Sequence, residues 1–279
     1  MRYANLALHT FTNRPWSIEE CLRNYSARGI GGISIWRETI AGKDLAQVRR
    51  QLDDSGLRGI SLVRGGFFTG ATAASRDAAH ENNQRCIDEA AALGLPMIVL
   101  VCGATPGQTA RENYLQIRDG IARMAEPAAA AGIRLLIEPL HPIYAGDRSG
   151  ICSLRTANDL AGELGLPNVG IAVDVYHVFW EVDLEEQLLR CAAGGWLDAY
   201  HICDFKPNQD HVLFDRGLMG EGCINLEAID GWVRGAGFNG FAEVEIFSRH
   251  WWSQDQHQYL DRILAAYEAI YRADRAVEG

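Results

Sequence analysis

The chain alternates short apolar segments, rich in β-branched residues, with longer amphipathic stretches rich in Ala and Leu, and this alternation recurs eight times. The pattern is typical of βα units, in which a helix returns the chain to the same edge of a parallel sheet. The sequence therefore predicts an α/β fold, a single (β/α)8 TIM barrel. The predicted strands are 3–9, 31–36, 59–63, 97–101, 134–138, 169–174, 198–203 and 241–245.

The length of 279 residues allows either one barrel of about 250 residues or two ordinary domains. No Pro-, Ser- or Gly-rich linker and no change in composition marks a boundary, so we expect one domain over residues 1–279. Helix signals fit the units, with Ser17 predicted to start one helix and Gly94 to end another. An open doubly wound sheet is the structural rival, but the first strand lacks the G-x-G-x-x-G turn of dinucleotide-binding versions.

Charge and cysteine content narrow the functional classes. With a net charge of −10 and no basic run, the chain is not expected to bind nucleic acid. Its seven cysteines form no Cys-x-x-Cys pair, which argues against a disulfide framework and a thiolate zinc site and fits a reducing cytoplasm. No segment approaches the roughly 18 apolar residues of a membrane span. We expect a cytoplasmic protein with no membrane partner.

The last four predicted strands each carry a potential metal ligand at or near the carboxyl end, where TIM barrels place their active sites. A lone acid there is as often a helix cap or part of a surface ion pair, but four in consecutive strands make that explanation much weaker. Three carboxylates and one imidazole favour Mn²⁺, Mg²⁺ or Co²⁺, with zinc left open. The predicted ligands are Glu138, Asp174, His201 and Glu245.

A second group of polar residues follows three of these ligands at a spacing of three: His141, His177 and Asp204. We predict that they contact substrate or orient a ligand, although for His141 and Asp204 a hydrogen bond to nearby backbone is an equal alternative. Glu243 lies two residues before Glu245 and should face the same way, one layer deeper. We expect Glu245 to be the ligand because it is nearer the end of the strand.

Aromatic and basic residues at or just beyond strand ends, Tyr144 among them, could form the walls of the pocket. Trp36 and Trp180 are the aromatic candidates for contact with substrate, and Arg37 and Arg148 are weaker polar candidates. Most aromatic residues are simply part of the core. We expect the segment SRHWWSQDQHQYL to expose several aromatic side chains to a second copy, so a homo-oligomer is a further hypothesis.

The motifs IEPLHP, VDVYH, YHICD, GEGCINL and GFNGFAEVE resemble those of the xylose isomerase-like TIM-barrel superfamily, across nearly the whole chain. That group includes tagatose/psicose 3-epimerases, hydroxypyruvate isomerases and inosose-processing enzymes. The resemblance implies the same four metal ligands and supports Glu245 over Glu243. It also implies that Glu138 and Glu245 exchange the substrate proton, that His177 contacts a substrate oxygen, and that an arginine contacts substrate, for which Arg216 is the nearest candidate.

The predicted function is a metal-dependent isomerase or epimerase of a small sugar, keto-sugar or polyol derivative, which transfers a proton through a metal-stabilised enediolate. A lyase or dehydratase acting on an oxidised sugar or glycoside is the main alternative, because proton removal beside a carbonyl also begins an elimination. A nuclease resembling the AP endonucleases shares the fold, but the acidic charge balance argues against it. A barrel that only binds a ligand is the remaining alternative.

Overall fold

A computed structural model describes residues 2–271, and within them eight parallel strands form a closed barrel in chain order. Each strand pairs with the next, and β8 pairs with β1. The strands are β1 Tyr3–His9, β2 Ile30–Trp36, β3 Arg58–Gly66, β4 Met97–Val101, β5 Arg134–Ile137, β6 Val169–Asp174, β7 Leu197–Ile202 and β8 Ala242–Val244. The predicted fold class is confirmed. β1, β4 and β6 match the predicted bounds, and the others differ by one to three residues at an end.

Helices connect the strands on the outside of the barrel. They are α1 Ile18–Ala27, α2 Arg37–Ile40, α3 Leu45–Ser55, α4 Ala73–Leu93, α5 Ala110–Ala130, α6 Leu154–Leu164, α7 Val175–Val178, α8 Leu184–Ala193, α9 Leu226–Gly235, α10 Arg249–Trp252 and α11 Gln256–Tyr271, with a 3-10 turn at Pro142–Tyr144. Both predicted helix signals are confirmed. Ser17 forms a reciprocal capping box with Glu20, and Gly94 ends α4 in the left-handed conformation, where a glycine costs no steric strain.

The core has two layers. Leu and Ile side chains fill the space between the sheet and the helices. A second set of apolar side chains fills the inside of the barrel; it includes Val63, Val99, Leu136, Ala172 and Ala199. Because alternate residues of a strand face opposite sides, the residues two positions beyond this inner layer also point inward, at the carboxyl end. Glu138, Asp174 and His201 occupy those positions, so the packing of the barrel interior sets the depth of the polar site.

Two of the remaining expectations can be compared with the described residues. Within residues 2–271 no helix is long and apolar enough to cross a lipid bilayer. The aromatic side chains of residues 248–260 are less exposed than expected, because Tyr259 is buried and Trp251 and Trp252 are half-buried. Trp251 stacks on buried Tyr259 with ring centroids 5.0 Å apart, and Trp252 donates a hydrogen bond of 3.0 Å to the Thr12 carbonyl. The homo-oligomer thus stays a prediction without that support.

The inner layer should carry a large share of the folding free energy. Leu136→Ala removes a fully buried side chain and leaves a cavity inside the barrel, so the free energy of unfolding should fall by about 2–5 kcal/mol. The matched control is Leu189→Ala on α8, whose side chain is 51% exposed and which should change stability by less than about 0.5 kcal/mol. Urea unfolding of the two variants measures both values. Equal losses would contradict this description of the core.

Candidate metal centre and substrate cleft

Four potential ligands from the last four strands meet at the carboxyl end of the barrel. Each of them offers a ligand atom, and these atoms all lie within 4.8 Å of one another. All four side chains are buried. The structure thus brings together the four residues predicted as ligands, Glu138, Asp174, His201 and Glu245. A set of three carboxylates and one imidazole at this spacing fits a single divalent ion such as Mn²⁺, Mg²⁺, Co²⁺ or Zn²⁺.

Positive groups balance the buried carboxylates of this cluster. His201 Nδ1 lies 3.1 Å from Glu138 Oε1, and His9 Nδ1 lies 3.0 Å from Glu245 Oε1. One nitrogen of the Arg216 guanidinium lies 2.9 Å from both Asp174 Oδ2 and Glu245 Oε2. Carboxylates cannot remain ionised in a dry interior without such partners, so a bound divalent ion and these cations serve the same electrostatic need.

The electrostatics of the cluster favour proton binding at two of the four ligands. Burial by itself would lower the pKa of His201, but the hydrogen bond to Glu138 and the negative charge of Glu243 raise it to about 10. Burial raises the pKa of the Asp174 carboxyl to about 7, since desolvation outweighs the opposing charge of Arg216. A cation that binds through these side chains must therefore displace protons.

Glu243 and His9 lie one layer deeper than the ligands. Glu243 accepts a short hydrogen bond from the Ser34 hydroxyl, and one of its oxygens lies 3.4 Å from His9 Nε2. The His9 ring also packs edge-on against His201, with centroids 4.5 Å apart. Glu243 therefore supports the cluster from below, as its place in the strand suggested. Sequence reasoning missed His9, although it ends β1 and the strand-end argument, applied to all eight strands, would have found it.

Arg216 and His177 lie against the ligands on the cleft side. The Arg216 guanidinium is stacked between the rings of Tyr176 and Phe247, at 4.3 and 4.4 Å from their centroids, which fixes its plane. His177 Nε2 lies 3.6 Å from Asp174 Oδ2 and 3.2 Å from Arg216. Burial, followed by the charge of Arg216, lowers the pKa of His177 well below its usual value, so this imidazole is neutral.

A cleft opens above the cluster. Of the predicted site residues, Glu138, Glu245, His177, Trp36 and Arg216 line it. Sequence reasoning did not assign the other lining residues to the substrate site, apart from naming Tyr144 as a wall candidate and Arg148 as a weak polar candidate. They are Phe11, Glu38, Arg64, Val101, Leu140, Tyr144, Arg148, Leu213, Phe214 and Phe247.

Asp204 does not line the cleft, contrary to the prediction that it contacts substrate. Its carboxylate accepts hydrogen bonds of 2.8–3.0 Å from four backbone N–H groups, which belong to Phe205, Gly220, Gly222 and Ile224. These contacts satisfy both oxygens and hold together the long segment between β7 and α9. The residue therefore anchors a loop, which was the alternative of a backbone hydrogen bond.

His141 also lies outside the cleft lining, because its ring turns away from the metal cluster. The ring is stacked between Phe179 and Phe205, and its Nδ1 accepts a hydrogen bond of 3.2 Å from the Ile143 N–H. Its backbone N–H donates to His177 Nδ1 at 3.1 Å. His141 is thus linked to the site through its main chain, which orients the His177 ring.

Two further wall candidates lie elsewhere. Arg37 forms an ion pair with Glu89 on the outside of the barrel, with two contacts of 2.5 and 2.9 Å. Trp180 is 40% exposed and donates a hydrogen bond of 2.7 Å to the His177 carbonyl. Neither side chain lines the cleft.

Residues 22–270 match the family described as Xylose isomerase-like TIM barrel. The match extends over most of the sequence, so the chain belongs to this family, as its motifs suggested. A protein from Sinorhizobium meliloti 1021, whose crystal structure is known, is 38% identical in sequence to this chain. That structure superposes with a TM-score of 0.92, and the alignment covers 95% of this chain and 98% of the other.

Two more distant proteins are also similar to this chain. The IolI protein, solved with a binding zinc atom, is 17% identical with a TM-score of 0.84, over 95% of this chain and 97% of its own. At that identity the likeness shows a shared fold. An inosose isomerase from Bacillus velezensis is 23% identical over 182 residues, which cover 64% of this chain and 63% of that protein. The alignment therefore spans less than two thirds of the curated relative.

The protonated ligands predict how the affinity for a divalent ion should depend on pH. Because His201 and Asp174 hold protons near neutral pH without a cation, Mn²⁺ binding should release about one to two protons and tighten from about pH 6 to pH 8. Calorimetric titration in two buffers of different ionisation enthalpy measures the proton release.

Asp174→Asn should weaken Mn²⁺ binding by about 100-fold or more, whereas Asp54→Asn, at an exposed position on α3, should not weaken it. Affinity that stays constant with pH would count against the proposed ligands.

Proposed function

We propose that the protein is a metal-dependent isomerase or epimerase acting on a small sugar, keto-sugar or polyol derivative. The observation that carries this proposal is the cluster of Glu138, Asp174, His201 and Glu245 at the floor of a cleft. Two of those four residues, Glu138 and Glu245, line the cleft. The inosose isomerase relative and the family membership support the same class of reaction.

Proton transfer beside a carbonyl group needs a base and a way to stabilise negative charge on oxygen. A divalent ion held by the four ligands would supply that stabilisation to the carbonyl and adjacent hydroxyl of the substrate. We assign the proton transfer to Glu138 and Glu245, one removing the proton and the other returning it. Return on the opposite face would give an epimer, and return to the neighbouring carbon would give an isomer.

The surroundings of Glu245 suit a group that must be ionised before the reaction. Burial by itself would raise its pKa, but the charges of His9 and Arg216 hold the pKa well below its usual value. The two oxygens have separate partners, His9 on one side and Arg216 on the other. Glu245 is therefore a carboxylate at neutral pH, able to accept a proton or to bind a cation.

His177 and Trp36 are the proposed substrate-positioning residues. Since His177 Nδ1 accepts a hydrogen bond from the His141 backbone, the neutral ring carries its proton on Nε2. Arg216, which is 3.2 Å from Nε2, is itself a donor, and Asp174 Oδ2 is 3.6 Å away, too far for a hydrogen bond, so this N–H can donate to a substrate oxygen. Trp36 closes the wall together with Phe11, whose ring stacks on it at 4.6 Å.

The test distinguishes isomerisation from elimination. The Mn²⁺-loaded protein is incubated in D₂O with a panel of keto-sugars, and products are followed by NMR and mass spectrometry. We expect an isomer of the substrate whose mass differs from it only by the deuterium incorporated at the reacting carbon. Loss of water or of an aglycone would instead identify a lyase, and absence of deuterium exchange with every substrate would overturn the proposal.

Removal of either proposed proton-transfer group should slow the reaction. Glu138→Gln and Glu245→Gln should each lower kcat by about 100-fold or more, because an amide cannot accept the proton. Glu186→Gln, an exposed position on α8, is the matched control and should leave kcat unchanged. Metal content is measured in parallel. A variant that retains Mn²⁺ and full kcat would exclude that glutamate from proton transfer.

A further inference from the structure

Two arginines lie in the wall of the cleft, and the proposed chemistry uses neither of them. Arg64 lies near the end of β3, and Arg148 follows the 3-10 turn in the connection between β5 and α6. Both line the same cleft as Glu138 and His177. The chain has a net charge of −10, so this part of the cavity wall is locally positive in a protein that is acidic as a whole.

Carboxylates of the protein do not neutralise these two guanidinium groups closely. The nearest acid to Arg64 is Glu38, at 3.9 Å, and the Glu38 side chain is 55% exposed. Within residues 2–271, Arg148 has no ion pair. By contrast, Arg216 contacts two buried carboxylates at 2.9 Å, and Arg37 pairs with Glu89 at 2.5 Å. Arg216 and Arg37 are thus paired with carboxylates, whereas Arg64 and Arg148 remain available to a ligand.

Aromatic rings hold both guanidinium groups in place. Arg64 lies over the rings of Phe67 and Trp36, at 4.8 and 5.9 Å from their centroids. Arg148 lies over the Tyr144 ring at 5.8 Å. Stacking leaves the N–H groups at the edge of a guanidinium free to bind an anion.

The backbone around Arg148 is also fixed. Its N–H donates to the Tyr144 carbonyl at 3.0 Å, and its own carbonyl accepts a hydrogen bond of 2.7 Å from Gly103. The connection after β5 is thus tied to the end of β4, so Arg148 projects from an anchored main chain. Such anchoring reduces the entropy lost when a ligand binds.

The position of the two charges has an electrostatic cost. Burial lowers the pKa of Arg64, and the nearby positive charge of Arg148 lowers it further, against the opposing effect of Glu38. Two like charges that face one partly buried cavity repel each other. An anionic group placed between them would remove that repulsion and gain charge-assisted hydrogen bonds.

We propose that the cleft selects a substrate with a terminal anionic group, a carboxylate or a phosphate, bound between Arg64 and Arg148. This inference rests on the proposed function, because it takes the cleft above the metal cluster to be the substrate site. The reacting carbons lie over the ligand cluster, and the anion lies at the arginine wall. The specificity of the enzyme for acidic over neutral sugars then depends on these two residues.

A matched series of six-carbon polyols tests the proposal: sorbitol, which is neutral, gluconate, which ends in a carboxylate, and sorbitol 6-phosphate. Binding of each to the Mn²⁺-loaded protein is measured by calorimetry. We expect at least one acidic member to bind about tenfold or more tightly than sorbitol. The preferred acidic member identifies carboxylate or phosphate. Equal affinity for all three would overturn the proposal.

Variants assign the preference to the two arginines. Arg64→Gln and Arg148→Gln should each reduce the preference for the acidic polyol by about tenfold, and sorbitol binding should not change. Arg148→Lys should keep part of the preference for the acidic polyol because it keeps the positive charge. A folding defect would not spare that preference. The control is Arg111→Gln on α5, where an exposed guanidinium likewise lies over a tyrosine ring, at 5.5 Å.

The proposal of an anion site and the proposed function can be disproved separately. If the Gln variants keep the full preference for the acidic polyol, Arg64 and Arg148 are not its cause and this inference is wrong. Retained Mn²⁺ binding and deuterium exchange in the same variants would leave the proposed function intact. Absence of Mn²⁺ binding in the unmodified protein would instead count against the metal centre.

Discussion

The structure around the site depends on the balance of charge in a buried volume. Four glutamate and aspartate side chains, including the deeper Glu243, lie within the barrel end, and each of them is almost inaccessible to solvent. Such a cluster is stable only with positive partners at short distance. His9, His201 and Arg216 provide them in this structure. Any change that removes one of these cations leaves a buried carboxylate uncompensated, so the geometry of the site is tightly coupled to its electrostatics.

Much of the fold could be predicted from the sequence because each βα unit carries its own signals. The apolar segments gave the eight strands to within three residues, and the end of each strand marked where chemistry could lie. Glu138, Asp174, His201 and Glu245 follow from that argument alone, since barrel closure brings consecutive strand ends together. The same argument, applied to β1, would also have identified His9, which ends that strand.

The rest of the site depends on contacts between distant segments, which local sequence patterns do not encode. Arg216 lies in the long connection after β7, and its backbone N–H donates to the Phe247 carbonyl beyond β8 at 2.9 Å. Its place beside Asp174 could therefore be suggested only by family resemblance. Asp204 and His141 have the spacing of site residues, but the segment after β7 and a pair of aromatic rings occupy their side chains. The spacing of a residue from a ligand in the sequence predicts that it lies near a strand end, but it does not predict the direction of its side chain.

The connection after β7 is attached at two points, and this has a consequence for how the cleft could change. Near its start, four backbone N–H groups donate hydrogen bonds to the Asp204 carboxylate. Further along, the Arg216 N–H donates to the Phe247 carbonyl and the Arg249 N–H donates to the Phe214 carbonyl, which join the connection to the segment after β8. Between these points lie residues 206–213, of which Leu213 lines the cleft. Hydrogen bonds join this stretch to Tyr144, Tyr176 and Asp215 and not to a candidate ligand, so its length and composition can vary while the ligand cluster stays in place. Proteins of this family could thus accept substrates of new shapes by exchange of this stretch alone.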